Sequence, residues 1–196
     1  MDVQPLSHVV DLVASRPARA GDTRVVAVDG PSGSGKTTLA RRLAHLLDCQ
    51  TIHMDDLYPG WDGLAEAPGL LVDQVLHPLS QAEPASYRRW DWHAHQWAES
   101  HPVAPEPVLL IEGVGSAALR CAPYLSLIVW IEAPREERMR RGLERDGETY
   151  RPHWERWARQ EQELFAADHT RERADLVVDG FPSVAHDPDT QVVLTS

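Results

Sequence analysis

Residues Gly30 to Thr37 read GPSGSGKT, and Lys36 within them is the only lysine of the chain; the other eighteen basic residues are arginines, and asparagine is absent. The stretch fits G-x-x-x-x-G-K-[ST], the phosphate-binding P-loop. Glycines let such a loop bend so that successive N–H groups point inward at a triphosphate. A helix opening at the lysine adds the favourable end of its dipole. A compact ammonium on a flexible stem reaches β- and γ-phosphates from inside this nest, whereas a guanidinium is bulkier and aims its donors differently. That difference accounts for one lysine kept in a chain otherwise biased to arginine. Gly30, Ser32, Gly33, Ser34, Gly35, Lys36, Thr37 and Thr38 are the expected nucleotide-binding residues.

Other residues supply what phosphoryl transfer needs. The stretch TIHMDD places Asp55 and Asp56 just after a strand, where a parallel sheet opens its ligand crevice. A carboxylate there can accept the proton of an attacking hydroxyl and reach the water shell of magnesium. VLLIEG places Glu112 after another apolar strand, a hard ligand for Mg2+ beside the Thr37 hydroxyl. YRRWDWHAHQW, residues 87–97, holds three of the seven tryptophans. Their faces suit a planar acceptor, with Asp91 or His95 for polar edges. RMRRGLERD brings Arg138, Arg141 and Arg145 to one helical face, suited to clamping a transferring phosphoryl group, with Arg151 a further candidate.

The elements that must position these groups follow from hydrophobic patterning. RVVAVDG, TIHM, PVLLIEG, LSLIVWIEA and ADLVVDG read as strands. PLSHVVDLVASR, GKTTLARRLAHLLD, PREERMRRGLERD and RPHWERWARQEQELFAAD read as helices. The stretch from Tyr58 to Pro107 reads as irregular, with room for a helix in GLLVDQVLHPL, and the last sixteen residues as a tail of undefined structure. Strands alternating with helices predict an α/β fold with a mostly parallel sheet. At 196 residues one domain is expected.

A net charge of -11 argues against nucleic-acid polymers and anionic membranes as partners. Cys49 and Cys121 have neither CxxC nor zinc spacing, which predicts reduced thiols and a cytoplasmic protein. No apolar run approaches the ~20 residues of a membrane span. Without asparagine or a second lysine, the N-K-x-D element that reads guanine cannot occur in its usual form, and no LSGGQ-like signature is present. A small phosphotransferase remains.

DGPSGSGKTT, HMDDLY, RRWDWHAH, LLIEG and RADLVVDG come in the order and approximate spacing of uridine kinase-like P-loop kinases, which the chain resembles over about Arg24 to Gly180. The resemblance implies ATP and Mg2+ as cofactors, Asp55 as the base, and Thr37, Glu112 and Asp55 around the metal. It implies that Lys36, Arg141 and Arg145 serve transfer. It implies a core over about 24–180, an acceptor-binding segment over about 58–105 and a short lid over about 141–152. It implies a small-molecule acceptor, a nucleoside 5′-hydroxyl foremost, held by Tyr58, Trp90, Asp91, Trp92, His95 and Arg151. Trp90 stands where the family has tyrosine. Three alternatives stay open: a nucleoside monophosphate kinase, since DGPSGSGK also resembles the cytidylate kinase loop; a kinase of another small alcohol; and a nucleotide-binding regulator without catalysis.

Overall fold

Every strand predicted from an apolar run lies in one seven-stranded sheet. The computed structural model describes residues 1–147 and 151–195. In chain order the elements are β1 (Asp2–Pro5), α1 (Leu6–Ser15), β2 (Arg24–Asp29), α2 (Lys36–Leu47), β3 (Gln50–His53) and a 3-10 turn, Met54–Asp56. Then come α3 (Ala67–Leu71), a π turn (Val72–Leu76), α4 (His77–Ser80), β4 (Ala85–Asp91), β5 (Gln96–Val103) and β6 (Val108–Glu112). β7 (Leu125–Glu132), α5 (Arg135–Asp146), α6 (Arg151–Asp168), β8 (Leu176–Asp179) and β9 (Gln191–Leu194) complete the chain.

The sheet order is β1-β9-β8-β7-β2-β6-β3. β2 pairs in parallel with β6 and β7, β3 with β6, and β8 with β7. β9 runs antiparallel to β8 and to β1. Side chains alternate across a strand, and in β2 both faces are covered. Val25 and Ala27 join Ile52, Leu109 and Ile111 beneath the helical segment 67–80. Val26 and Val28 join Leu110, Leu127, Leu39, Leu43 and Val9 beneath α1 and α2. A central parallel strand buried on both faces reads as an unbroken apolar run, which is why β2, β6 and β7 were visible in the sequence.

The stretch from Tyr58 to Pro107 carries the helix that GLLVDQVLHPL allowed, as the run 67–80, and, where an irregular stretch was expected, the antiparallel hairpin β4–β5. The carboxyl-terminal stretch is not a structureless tail, because β9 extends the sheet and carries β1 at its edge. The predicted lid, 141–152, is described only through Gly147 and again along α6; residues 148–150 and the Arg151 side chain lie outside the described residues. Among the described residues no helix is long and apolar enough to cross a membrane.

Candidate functional site

β2 is central in the parallel sheet, with β6 on one side and β7 on the other, so the crevice beyond its carboxyl end is the topological switch point. The P-loop leaves β2 there. Gly35 caps α2 with φ 110°, and Gly33 turns at φ 78°. A Cβ on Gly33 would collide with the Arg138 backbone, so the packing of α5 against the loop requires glycine at this position. Lys36 is only 8% exposed, and its Nζ donates to the carbonyl oxygens of Gly30 at 2.8 Å and Pro31 at 3.1 Å. Ser34 is fully buried, and its Oγ has no hydrogen-bond partner among the described residues. The Ser34 N–H bonds to the Pro31 carbonyl at 3.2 Å, so the orphaned hydroxyl leaves an unused donor within the loop that an anionic oxygen can satisfy.

A cavity of about 1010 Å³ opens over this loop, lined by Ser32, Gly33, Gly35, Lys36, Thr37 and Thr38 on one side. Asp55, Asp56, His53 and Glu112 face it from the ends of β3 and β6. Glu112 is nearly buried; it accepts from Thr37 Oγ1 at 3.2 Å, and His53 Nδ1 lies 2.7 Å from the same oxygen. The bond to Glu112 raises the imidazole pKa, against the opposing effect of burial. Asp55 is exposed, its side chain opening onto the cavity, while the protein packed around it partly desolvates the carboxylate. That desolvation, and then Glu112, raise its carboxyl above the ordinary range, while Lys36, Arg145 and His53 hold it down. The Thr37 hydroxyl with the carboxylates of Glu112 and Asp55 is an all-oxygen set fit for magnesium, which takes one or two protein ligands and completes its shell with water and phosphate.

Aromatic rings line the same cavity. Trp61 stacks on His153 of α6 with ring centroids 4.3 Å apart and lies 5.0 Å from Trp92. Trp157 meets Tyr58 edge-on at 4.9 Å. Trp92 Nε1 donates to the Asp55 carbonyl oxygen at 2.9 Å, so the hairpin tip braces the carboxylate's own backbone. A second cavity of about 310 Å³ adjoins the loop at Gly35, Thr38 and Arg141 and runs toward Gly180, Pro182 and His186.

The predicted residues divide accordingly. The structure brings Ser32, Gly33, Gly35, Lys36, Thr37, Thr38, Asp55, Tyr58, Trp92, Glu112, Arg141 and Arg145 to one cavity. It leaves Trp90, Asp91 and His95, also expected at the acceptor, off that lining. Trp90 packs edge-on against Trp97 at 5.2 Å within the hairpin. Asp91 caps the turn, its Oδ1 accepting from the N–H groups of His93 and Ala94 at 2.9 Å each. His95 holds the turn's left-handed position at φ 51°. His93 faces the cavity instead. The Tyr58 hydroxyl donates to the Val114 carbonyl at 2.8 Å, so Tyr58 contributes ring surface to the wall. Arg141 spends its fork on the P-loop carbonyls of Gly33 and Ser34 and on Gly180 O, with Nε on Glu137 at 2.6 Å.

Sequence reasoning missed His53, Trp61, His93, His153, Trp157, Asp29 and Glu161. His53 was within sight, two residues before Asp55. Asp29 is fully buried and accepts from the backbone N–H groups of Gly30, Gly115 and Ala117, tying the start of the P-loop to the loop after β6. Burial pushes its carboxyl from 3.8 to about 6, against the lowering by those N–H bonds and Lys36. A raised acid stabilises the fold fully below its unfolded value and loses that contribution as pH rises through its folded value. The difference corresponds to ~3 kcal/mol. Relative to Asp29→Asn, wild-type stability is therefore expected to fall by about that amount between pH 4 and pH 7. Denaturant titrations of both proteins across this range check it, and a pH-independent difference contradicts it.

Residues 26–164 match the family model described as an AAA domain. A cytidylate kinase from Ignicoccus hospitalis is 31% identical over 126 residues, 64% of this chain and 67% of that relative. A tRNA dimethylallyltransferase from a Synechococcus species is 34% identical over 98 residues, 46% of this chain and 33% of the relative. The matches thus span from a third to two thirds of these relatives' lengths. A solved structure described as a possible uridine kinase from Bacillus stearothermophilus superposes with a TM-score of 0.65 at 19% identity, over 88% of this chain and 96% of that one. That likeness shows the fold: a mostly parallel sheet flanked by helices, as in P-loop kinases.

Proposed function

Since the chain belongs to the AAA domain family, with a P-loop lining a cavity of about 1010 Å³, we propose that it is a magnesium- and ATP-dependent kinase that phosphorylates a hydroxyl of an uncharged small acceptor, a nucleoside foremost. The observation that carries this is one cavity lined both by Lys36, Thr37, Glu112 and Asp55 and by the rings of Tyr58, Trp61, Trp92 and Trp157. The loop amides and Lys36 hold the triphosphate. Thr37 and Glu112 hold magnesium, which when bound supplies positive charge to the phosphate oxygens. Asp55 takes the proton as the acceptor oxygen bonds to the γ-phosphorus and the bridging oxygen leaves with ADP. Arg145, lining the same cavity, adds positive charge near the transferring group.

The acceptor wall favours an uncharged ring. Arg88 and Arg89 lie off the cavity lining; Arg89 pairs with Glu99 at 2.7 Å and Arg88 reaches the Trp97 carbonyl. Asp55 and Asp56 would repel a substrate phosphate placed beside them. Stacking on an aromatic is worth roughly 1–3 kcal/mol per base. Trp92→Ala is therefore expected to raise the acceptor's KM about tenfold or more with little change in ATP affinity, and Trp90→Ala to leave the acceptor's KM unchanged. A second reading, a nucleoside monophosphate kinase, is favoured by the similarity to a cytidylate kinase. ADP formation across nucleosides, their monophosphates and non-aromatic alcohols tests both. Turnover confined to monophosphates replaces the first reading by the second.

A further inference from the structure

Helix α6 touches both halves of the cavity. Residues 157 and 161 are one turn apart and therefore share a face. The ring of Trp157 forms part of the aromatic wall, while its Nε1 donates to Ser32 Oγ at 3.0 Å. Glu161 is 3% exposed, and its Oε1 accepts from Ser32 N at 2.9 Å and from Ser32 Oγ at 2.5 Å. Arg138 closes the group, with Nη1 3.9 Å from Glu161 Oε2 and donating to Ser32 O at 3.3 Å. Ser32 thus has its N–H, its carbonyl and its hydroxyl all tied to α5 and α6. Ser32 lines the cavity and Glu161 does not. The carboxylate therefore engages the Ser32 N–H just before the left-handed turn at Gly33.

We propose that Glu161 is a positioning residue of the phosphate loop: through Ser32 it fixes which amides face the triphosphate, and Trp157 ties that setting to the acceptor wall. A buried carboxylate is costly unless paired and hydrogen-bonded. Here its three closest polar contacts are two from Ser32 and one from Arg138, which itself binds the Ser32 carbonyl. The inference rests on the kinase reading only in taking ATP as the nucleotide. Electrostatics alone predicts the opposite sign, because deleting a negative charge near a triphosphate site should tighten ATP binding. Positioning predicts weaker binding.

The test is ATP affinity by calorimetry, which needs no acceptor, alongside thermal unfolding and tryptophan emission, on wild type, Glu161→Ala, Glu161→Gln, Glu161→Asp and Trp157→Phe. Glu161→Ala is expected to weaken ATP binding about tenfold or more. Glu161→Gln keeps an oxygen for the Ser32 N–H and is expected to recover most of that loss, which general destabilisation would not predict. ATP should change the emission of wild type, and the change should be reduced in Trp157→Phe and in Glu161→Ala. Equal or tighter ATP binding by folded Glu161→Ala overturns the proposal. Should that variant not fold, Glu161→Asp decides: its shorter side chain draws the carboxylate back from the Ser32 N–H and hydroxyl, and an unchanged Kd with an unchanged emission response overturns the proposal as well. Wild-type protein that does not bind ATP overturns the kinase reading and this inference together, whereas loss of the variant effects alone overturns only the inference.

Discussion

Lys36→Ala is expected to lower kcat by roughly 10²–10³-fold, the effect typical of removing one preorganised group that stabilises transition-state charge. The ammonium enters α2 from a buried position and bonds back to the Gly30 and Pro31 carbonyls, so it spans the loop it serves. In the proposed reaction it would leave these carbonyls for a phosphate oxygen of the bound nucleotide. Arginine in its place must fit a planar group with five donors into a space closed by two carbonyls, and it cannot turn its charge without leaving them. Lys36→Arg is therefore expected to keep less than about a tenth of wild-type turnover although the charge is preserved. ADP formation and calorimetric ATP binding check this, with thermal unfolding to separate loss of the loop's internal bonds from loss of transfer. Near-wild-type turnover in the arginine variant would mean that charge alone matters, and that the lone lysine owes nothing to shape.

The same residues show what the sequence could and could not say. The parallel strands were legible because burial on both faces leaves an unbroken apolar run, as in Val25 to Val28. The P-loop was legible because its glycines, lysine and threonine sit within eight consecutive positions. β1 and β9 were not, because each has only four residues, β1 lies at the sheet edge, and their pairing joins Asp2 to Leu194 across almost the whole chain. The hairpin concealed its own geometry. Its register shifts between Arg88 and Trp90, and one residue of slip exchanges the faces of a strand. Position in the motif therefore could not decide that Trp92 and His93 face the cavity while Trp90 and His95 do not. Glu161 lies 129 residues from Ser32 within an ordinary-looking charged helix, and only tertiary structure joins them.

Asp55→Asn is expected to slow turnover by roughly 10²–10⁴-fold while ATP affinity changes far less. Asparagine keeps the shape of the side chain and the backbone carbonyl that Trp92 Nε1 binds, so the hairpin stays braced and only the proton acceptor is lost. The raised carboxyl pKa sharpens the expectation. A base with an elevated pKa holds a proton more strongly in transfer but is neutralised at a higher pH. The acid limb of wild-type kcat/KM is therefore expected above the ordinary aspartate value of 3.8, with rate falling as pH falls through it, and this limb should be absent from the residual activity of Asp55→Asn. Asp56 serves as the internal comparison. It lines the same cavity, but its Oδ2 accepts from the Tyr87 hydroxyl at 3.3 Å, which ties it to the hairpin. Asp56→Asn can still accept that bond and is expected to cost less than about tenfold in turnover. Steady-state rates of both variants at matched folded fraction decide between the two carboxylates. Greater damage from Asp56→Asn would move the base by one residue, and equal damage would mean that the pair acts through its summed negative charge rather than through a single proton acceptor.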